Sequence, residues 1–154
     1  MSKVLTGKDL TSKDLILDIY KDIQTKLNTL DYKPGLAIIQ IGDRKDSNTY
    51  INLKRKKTSE LGIDSFLYKY NNNKSVEEII QNITILNSYD YIKGIIVQLP
   101  LPDNFTDEDE YQILNSVSPE KDVDGFHHHN MGELMLNKSS STPYHVPCTA
   151  EGCF

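Results

Sequence analysis

The chain has 154 residues, enough for one domain able to bury about 68–70% of the surface its unfolded form exposes. Its formal net charge of −5 excludes an overall basic field of the kind that draws nucleic acid or an anionic membrane, so no nucleic-acid or membrane partner is expected. It has no apolar run of the ~18 residues a membrane helix needs, and the start "MSKVLTGKDL" lacks the traits of a signal or transit peptide, so the expectation is a cytoplasmic protein.

Residues 8–30 place Leu10, Leu15, Ile16, Ile19, Ile23, Leu27 and Leu30 at helical spacing with Lys and Asp between them, which predicts an amphipathic helix. "GLAIIQIG" (35–42) is an apolar run between glycines and reads as a strand buried on both faces. Asp46 or Ser47 is placed to cap a helix running to Leu61, with Gly62 in the left-handed conformation favoured at helix ends. "IDSFLYKY" (63–70) reads as a strand, "NNNK" as a turn, and residues 75–89 as a helix capped by Ser75. "KGIIVQLPLP" (93–102) reads as a strand ended by two prolines, and residues 106–117 as a helix. Beyond it regularity fades: "SPEKDVDGFHHHNMGEL" is turn-rich, and "NKSSSTPYH" is a polar loop of the mobile kind.

Helices alternating with strands predict an α/β layer structure with a parallel sheet and right-handed crossovers. Ligands then bind beyond the carboxyl ends of the strands, near Gly42–Asp43 and Gln98–Pro102. Cys148 and Cys153, the only cysteines, form neither a zinc framework nor a disulfide scaffold and are expected as reduced thiols.

Three stretches carry candidate chemistry. In "SNTYINLKRKKTSELGI" (47–63), Tyr50 and Lys54 share one helix face at i and i+4, either as a plain surface stripe or as a working pair. A Tyr-x-x-x-Lys pair also occurs in short-chain dehydrogenases, but these need a glycine-rich phosphate loop that "GKDLTSKDL" does not supply. In "GIIVQLPLP", a buried strand delivers Gln98 to the sheet's carboxyl edge, to serve a ligand or to satisfy a loop backbone group. In "KDVDGFHHHN", Asp122 and Asp124 share a side if the segment is extended, next to Gly125. Consecutive histidines at 127, 128 and 129 cannot all aim at one ion from a regular backbone, so no metal site is assigned.

Together with "PCTAEG", these motifs resemble, in order and spacing, the amino-terminal domain of the methylenetetrahydrofolate dehydrogenase/methenyltetrahydrofolate cyclohydrolase family, over nearly the whole chain. The resemblance implies a three-layer α/β/α fold with a mostly parallel sheet of about four strands. It implies a cleft between the helix of Tyr50 and Lys54, the Gln98–Pro102 exit and the Asp124 turn. By the same resemblance Tyr50 is expected to stack on the folate's aminobenzoyl ring, Lys54 to be the catalytic lysine, Gln98 to tune it and Asp124 to bind the pterin, supported by Asp122 and Gly125. Ile51, Asn52, Leu53, Val97, Leu99 and Pro100 complete the implied folate-binding set.

Two elementary points agree with these roles. A pterin's pyrimidine edge offers adjacent N–H donors that one carboxylate accepts in bidentate fashion. A lysine works as a base near neutral pH only when its ammonium is destabilised, and Arg55, Lys56 and Lys57, with burial against a ligand, push that way.

The sequence departs from the family at Phe126-His127-His128, where the family has Phe-His-Pro, and at Pro147-Cys148-Thr149-Ala150, where it has Pro-Cys-Thr-Pro. The resemblance divides the chain into a catalytic domain, 1–146, and the start of the interdomain helix, 147–154. The family's dinucleotide-binding domain is absent from these residues, so NADP, which the full enzyme uses, has no site here. Family members are homodimers paired largely through that other domain, so this half is expected to be able to stand as a monomer. The implied activity is folate one-carbon chemistry on a tetrahydrofolate derivative. Hydrolysis of the 5,10-methenyl to the 10-formyl form is favoured over hydride transfer, and the alternative is a folate-binding module without turnover.

Overall fold

A computed structural model describes residues 13–136 and 145–147. Leu10, both cysteines and most of the 137–145 loop lie outside them. The elements are α1 (Lys13–Leu27), β1 (Gly35–Ile41), α2 (Lys45–Leu61), β2 (Asp64–Tyr70), α3 (Val76–Asn87), β3 (Ile92–Val97), α4 (Asp107–Asn115) and α5 (His128–Leu136).

The sheet has the order β2-β1-β3 and both pairings are parallel, with Ala37 level with Phe66 on one side and Ile95 on the other. Going from β1 to β2 the chain moves one way across the sheet, and from β2 to β3 the other way. Right-handed crossovers therefore put α2 and α3 on opposite faces, giving the three layers. On the α3 face, Ala37, Ile39, Ile41, Ile95 and Val97 pack with Ile79, Ile83 and Leu86 of α3 and Ile113 of α4. Alternation turns Ile38 and Ile96 to the other face, where α2 buries Ile51. Among the described residues no helix is long and apolar enough to cross a membrane.

The structure corrects the sequence reading at five places. The sheet has three strands among the described residues, not about four. After β3 the only further pairing among the described residues is a single parallel bridge, Ile95 to Asp122, because the chain turns at once: Asp122 N–H donates to Ser118 O and Gly125 N–H to Asp122 O.

Arg44, not Asp46 or Ser47, occupies the N-cap of α2 and makes no side-chain cap, while Asp46 sits in the first turn. Gly62 ends that helix with φ 80°, as its lack of a Cβ allows. β3 ends at Val97, although Gln98 N–H still donates to Ile39 O at 2.8 Å, and a cis Leu99–Pro100 bond follows.

The stripe of α1 is only partly covered, with Ile23 and Leu27 half-buried and Ile16 and Ile19 exposed. Finally, α5 is a helix where the sequence reads as turns. Its "HHNMGE" start favours helix weakly, and buried Asn130, donating to Pro119 O and Asp122 Oδ2, anchors it through tertiary contact.

Candidate active site at the carboxyl edge of the sheet

Burial of Ser47 and Ile51 sets the rotation of α2 and turns Lys54 toward the ends of β1 and β3. Lys54 Nζ donates to Gln98 Oε1 at 3.3 Å, and the Gln98 amide nitrogen donates to Leu99 O at 2.8 Å. The loop reading of Gln98 therefore holds: its amide satisfies a backbone carbonyl of its own exit segment. The bond to its own loop fixes the amide's orientation, and the oxygen is left facing the lysine.

The run that follows divides by helical phase: Arg55, Lys56 and Lys57 are exposed, and Lys57 pairs with Glu60 at 3.0 Å and lies over the Tyr20 ring. Three of the four cations form a solvated face, and Lys54 alone reaches inward.

A cavity of about 360 Å³ opens here, lined by Lys54, Val97, Gln98, Leu99, Asp124, Phe126 and Pro147. Half-buried Asp124 contributes its carboxyl group. Burial pushes that carboxyl above the usual carboxylate range, the Lys54 ammonium pulls it back down, and Asp122 adds to the rise.

Asp122 does not share a side with Asp124, because residues 121–125 form a turn and not an extended segment. It is 5% exposed, and its Oδ2 accepts from His127 N–H at 2.8 Å and Asn130 Nδ2 at 3.0 Å. Gly125 sits at φ 71°, and a Cβ there would lie 2.8 Å from Pro147 N. The turn and the Pro147 segment thus close against each other only because residue 125 has no side chain.

The structure brings together Lys54, Val97, Gln98, Leu99 and Asp124 from the sequence-derived set. Tyr50 stands outside the cavity wall and is 61% exposed, and Asn52, Leu53 and Pro100 are exposed as well. Ile51 is 1% exposed and is a core residue, so its side chain is not presented to a ligand. Sequence reasoning passed over Phe126 and Pro147 as lining residues. Both lay in quoted motifs, but an apolar side chain carries no chemical signal until a fold turns it toward a cavity.

Among the described residues no group of three or more His, Cys, Asp or Glu side chains could hold a metal ion. A cavity of about 410 Å³ opens at the opposite end of the sheet, between Leu27–Pro34 and Leu61–Gly62, far from every one of these groups.

Residues 5–124 match the family model described as tetrahydrofolate dehydrogenase/cyclohydrolase, catalytic domain. The chain belongs to this family.

It is 41% identical over 150 residues to the chloroplastic bifunctional protein FolD 4 of Arabidopsis thaliana, an alignment covering 97% of this chain and 40% of the relative. It is 39% identical over 154 residues to bifunctional protein FolD of Acetivibrio thermocellus, covering 98% and 50% respectively. Among solved structures, the bifunctional FolD methylenetetrahydrofolate dehydrogenase/cyclohydrolase of Campylobacter jejuni superposes with a TM-score of 0.81 at 38% identity, covering 92% of this chain and 49% of that one. The Trypanosoma brucei enzyme, solved with NADP cofactor and an inhibitor, gives 0.80 at 32% identity, covering 97% and 49%. The chain thus spans about half the length of the family relatives it matches.

The described residues do not fit a dinucleotide. Of the three turns that follow strands at the carboxyl edge, only the one after β1 holds a glycine. A Cβ at that Gly42 would lie 3.0 Å from Pro102 Cγ, so proline covers the backbone a pyrophosphate would need, and the Asp43 carboxylate comes next.

Proposed function

We propose that the cavity of Lys54, Gln98 and Asp124 is a folate site and that the chain supports hydrolysis of 5,10-methenyltetrahydrofolate to the 10-formyl form. The observation that carries this reading is the Lys54 Nζ to Gln98 Oε1 contact of 3.3 Å in the one cavity that Asp124 also lines. One end of such a cavity offers a carboxylate for the two pyrimidine-edge donors of a pterin, and the other offers a positioned amine nitrogen.

Water adds to the positively charged carbon bridging N5 and N10, and the proton it sheds is passed to Lys54, which enters this step as the neutral amine. The carbon–N5 bond then breaks as the new hydroxyl gives up its remaining proton to become the formyl oxygen, N5 takes up one proton in exchange, and N10 keeps the formyl group. One water is consumed and one proton is released. Gln98 holds the lysine nitrogen on the side from which water attacks, a general acid–base role worth about 10²–10⁴ in rate.

Tyr50 offers an exposed ring for the aminobenzoyl group as it leaves the cavity, a stacking surface that handles no proton. These residues do not fit NADP, so hydride transfer is not assigned to them.

The test is the loss of methenyl absorbance with the chain present, corrected for buffer-catalysed hydrolysis. Hydrolysis clearly above the background supports the reading. A chain that binds the folate but is no faster than background is a binding module without turnover.

A further inference from the structure

His127 closes the amino end of α5. Its carbonyl accepts the first intrahelical bond, from Met131 N–H at 3.1 Å, and its ring Nδ1 lies 3.0 Å from the His129 N–H. A backbone N–H only donates, so Nδ1 must accept, which leaves the ring neutral with its proton on Nε2. This is the N-cap arrangement that Ser, Asn and Asp ordinarily supply.

The ring is buried and stacked on His128 with centroids 4.3 Å apart. The groups that face it are Asp122 from the 121–125 turn, His128 and His129 from α5, and the Asn115 backbone from the end of α4. Burial first, and then His128, hold it below the usual histidine range, against the upward pull of Asp122 and the Asn115 hydrogen bond. The His127 N–H also donates to Asp122 Oδ2 at 2.8 Å, which ties the cap to the turn that presents Asp124.

We infer that His127 is a positioning residue: neutral, it caps α5 and holds the turn carrying Asp124, and protonated, it releases both. The part about Asp124 rests on the folate reading; the cap does not. A proton on Nδ1 sets two donors against each other at the His129 N–H. It also places a cation at the positive end of the helix and against a second imidazole. A histidine whose folded-state pKa is lowered takes up fewer protons folded than unfolded. Its contribution to stability is therefore present above the unfolded value of about 6.5 and is lost as pH falls through the lower folded value.

The test follows the protection factor of the His129 amide by hydrogen exchange in the unliganded chain from about pH 7.5 to about pH 5, with tetrahydrofolate affinity measured alongside. The parent is expected to lose about two- to thirtyfold in protection, the span that loss of a cap gives. H127N keeps an acceptor that does not titrate, so its protection stays level and its affinity falls later. Asp124 titrates in both proteins, so their difference isolates His127. Level protection in the parent, or the same fall in both proteins, overturns the inference. Should H127N fail to fold, the parent's own series decides. A parent that loses protection yet binds no folate at any pH upholds the cap and overturns the folate reading instead.

Discussion

The segment from Ser118 to Asn130 has a buried half and an open half, and its two carboxylates divide between them. Asp122 faces inward, where two donors satisfy one oxygen, and it acts as a fastener between the turn and α5. Asp124, two residues on, lines a cavity opposite Lys54 and Gln98 and pays for its half-burial with a raised pKa. The same functional group two positions apart thus serves the fold in one case and faces a cavity in the other. What separates them is the turn, because an extended backbone would have put both on one side.

Breaking the open half at Lys54 has the largest expected effect. K54Q lowers methenyl hydrolysis by about 10²–10⁴ while tetrahydrofolate affinity stays within about tenfold, since a positioned acid–base group contributes to rate and little to ground-state binding. Steady-state assay beside calorimetry reads both quantities. A variant as fast as the parent returns Lys54 to the solvated face of α2.

The two aspartates should then respond in opposite ways. D122N destabilises the fold by about 1.5–3 kcal/mol, the range for hydrogen bonds to a charged acceptor, seen as an earlier denaturant midpoint. D124N leaves the unliganded fold as stable as the parent or more so at neutral pH. A carboxyl whose folded pKa is raised favours folding below its unfolded pKa, and that advantage is lost as pH rises through the folded value. An asparagine does not titrate, so the parent's loss of stability with rising pH should flatten in D124N. If both variants lose stability equally, the division between fastener and ligand group is wrong. The smallest effect is expected outside the cavity: Y50A weakens folate binding by about 0.5–1.5 kcal/mol, a stacking contribution, with kcat little changed.

Much of the fold was legible because its signals are local. Apolar runs marked the strands, the Ser75 cap marked the start of α3, and Gly62 marked the end of α2. The helix of residues 128–136 was not, since it depends on an Asn130 anchor and a histidine cap that exist only once residues 118–127 have turned. The convergence of Lys54, Gln98 and Asp124, the first two 44 residues apart, was implied only by the family resemblance, since no local signal joins such distant motifs. Alternation misplaced Asp122, and a motif span cannot reveal that Ile51, inside it, faces the core.

Titrating tetrahydrofolate into the parent chain and into D124N by calorimetry tests the folate reading most directly. One site per chain is expected in the parent, and an affinity lower by about 1.5–3 kcal/mol in D124N, whose amide offers one acceptor and a misplaced donor to the pterin edge. A parent that binds no folate, or a D124N variant that binds as tightly as the parent, contradicts it.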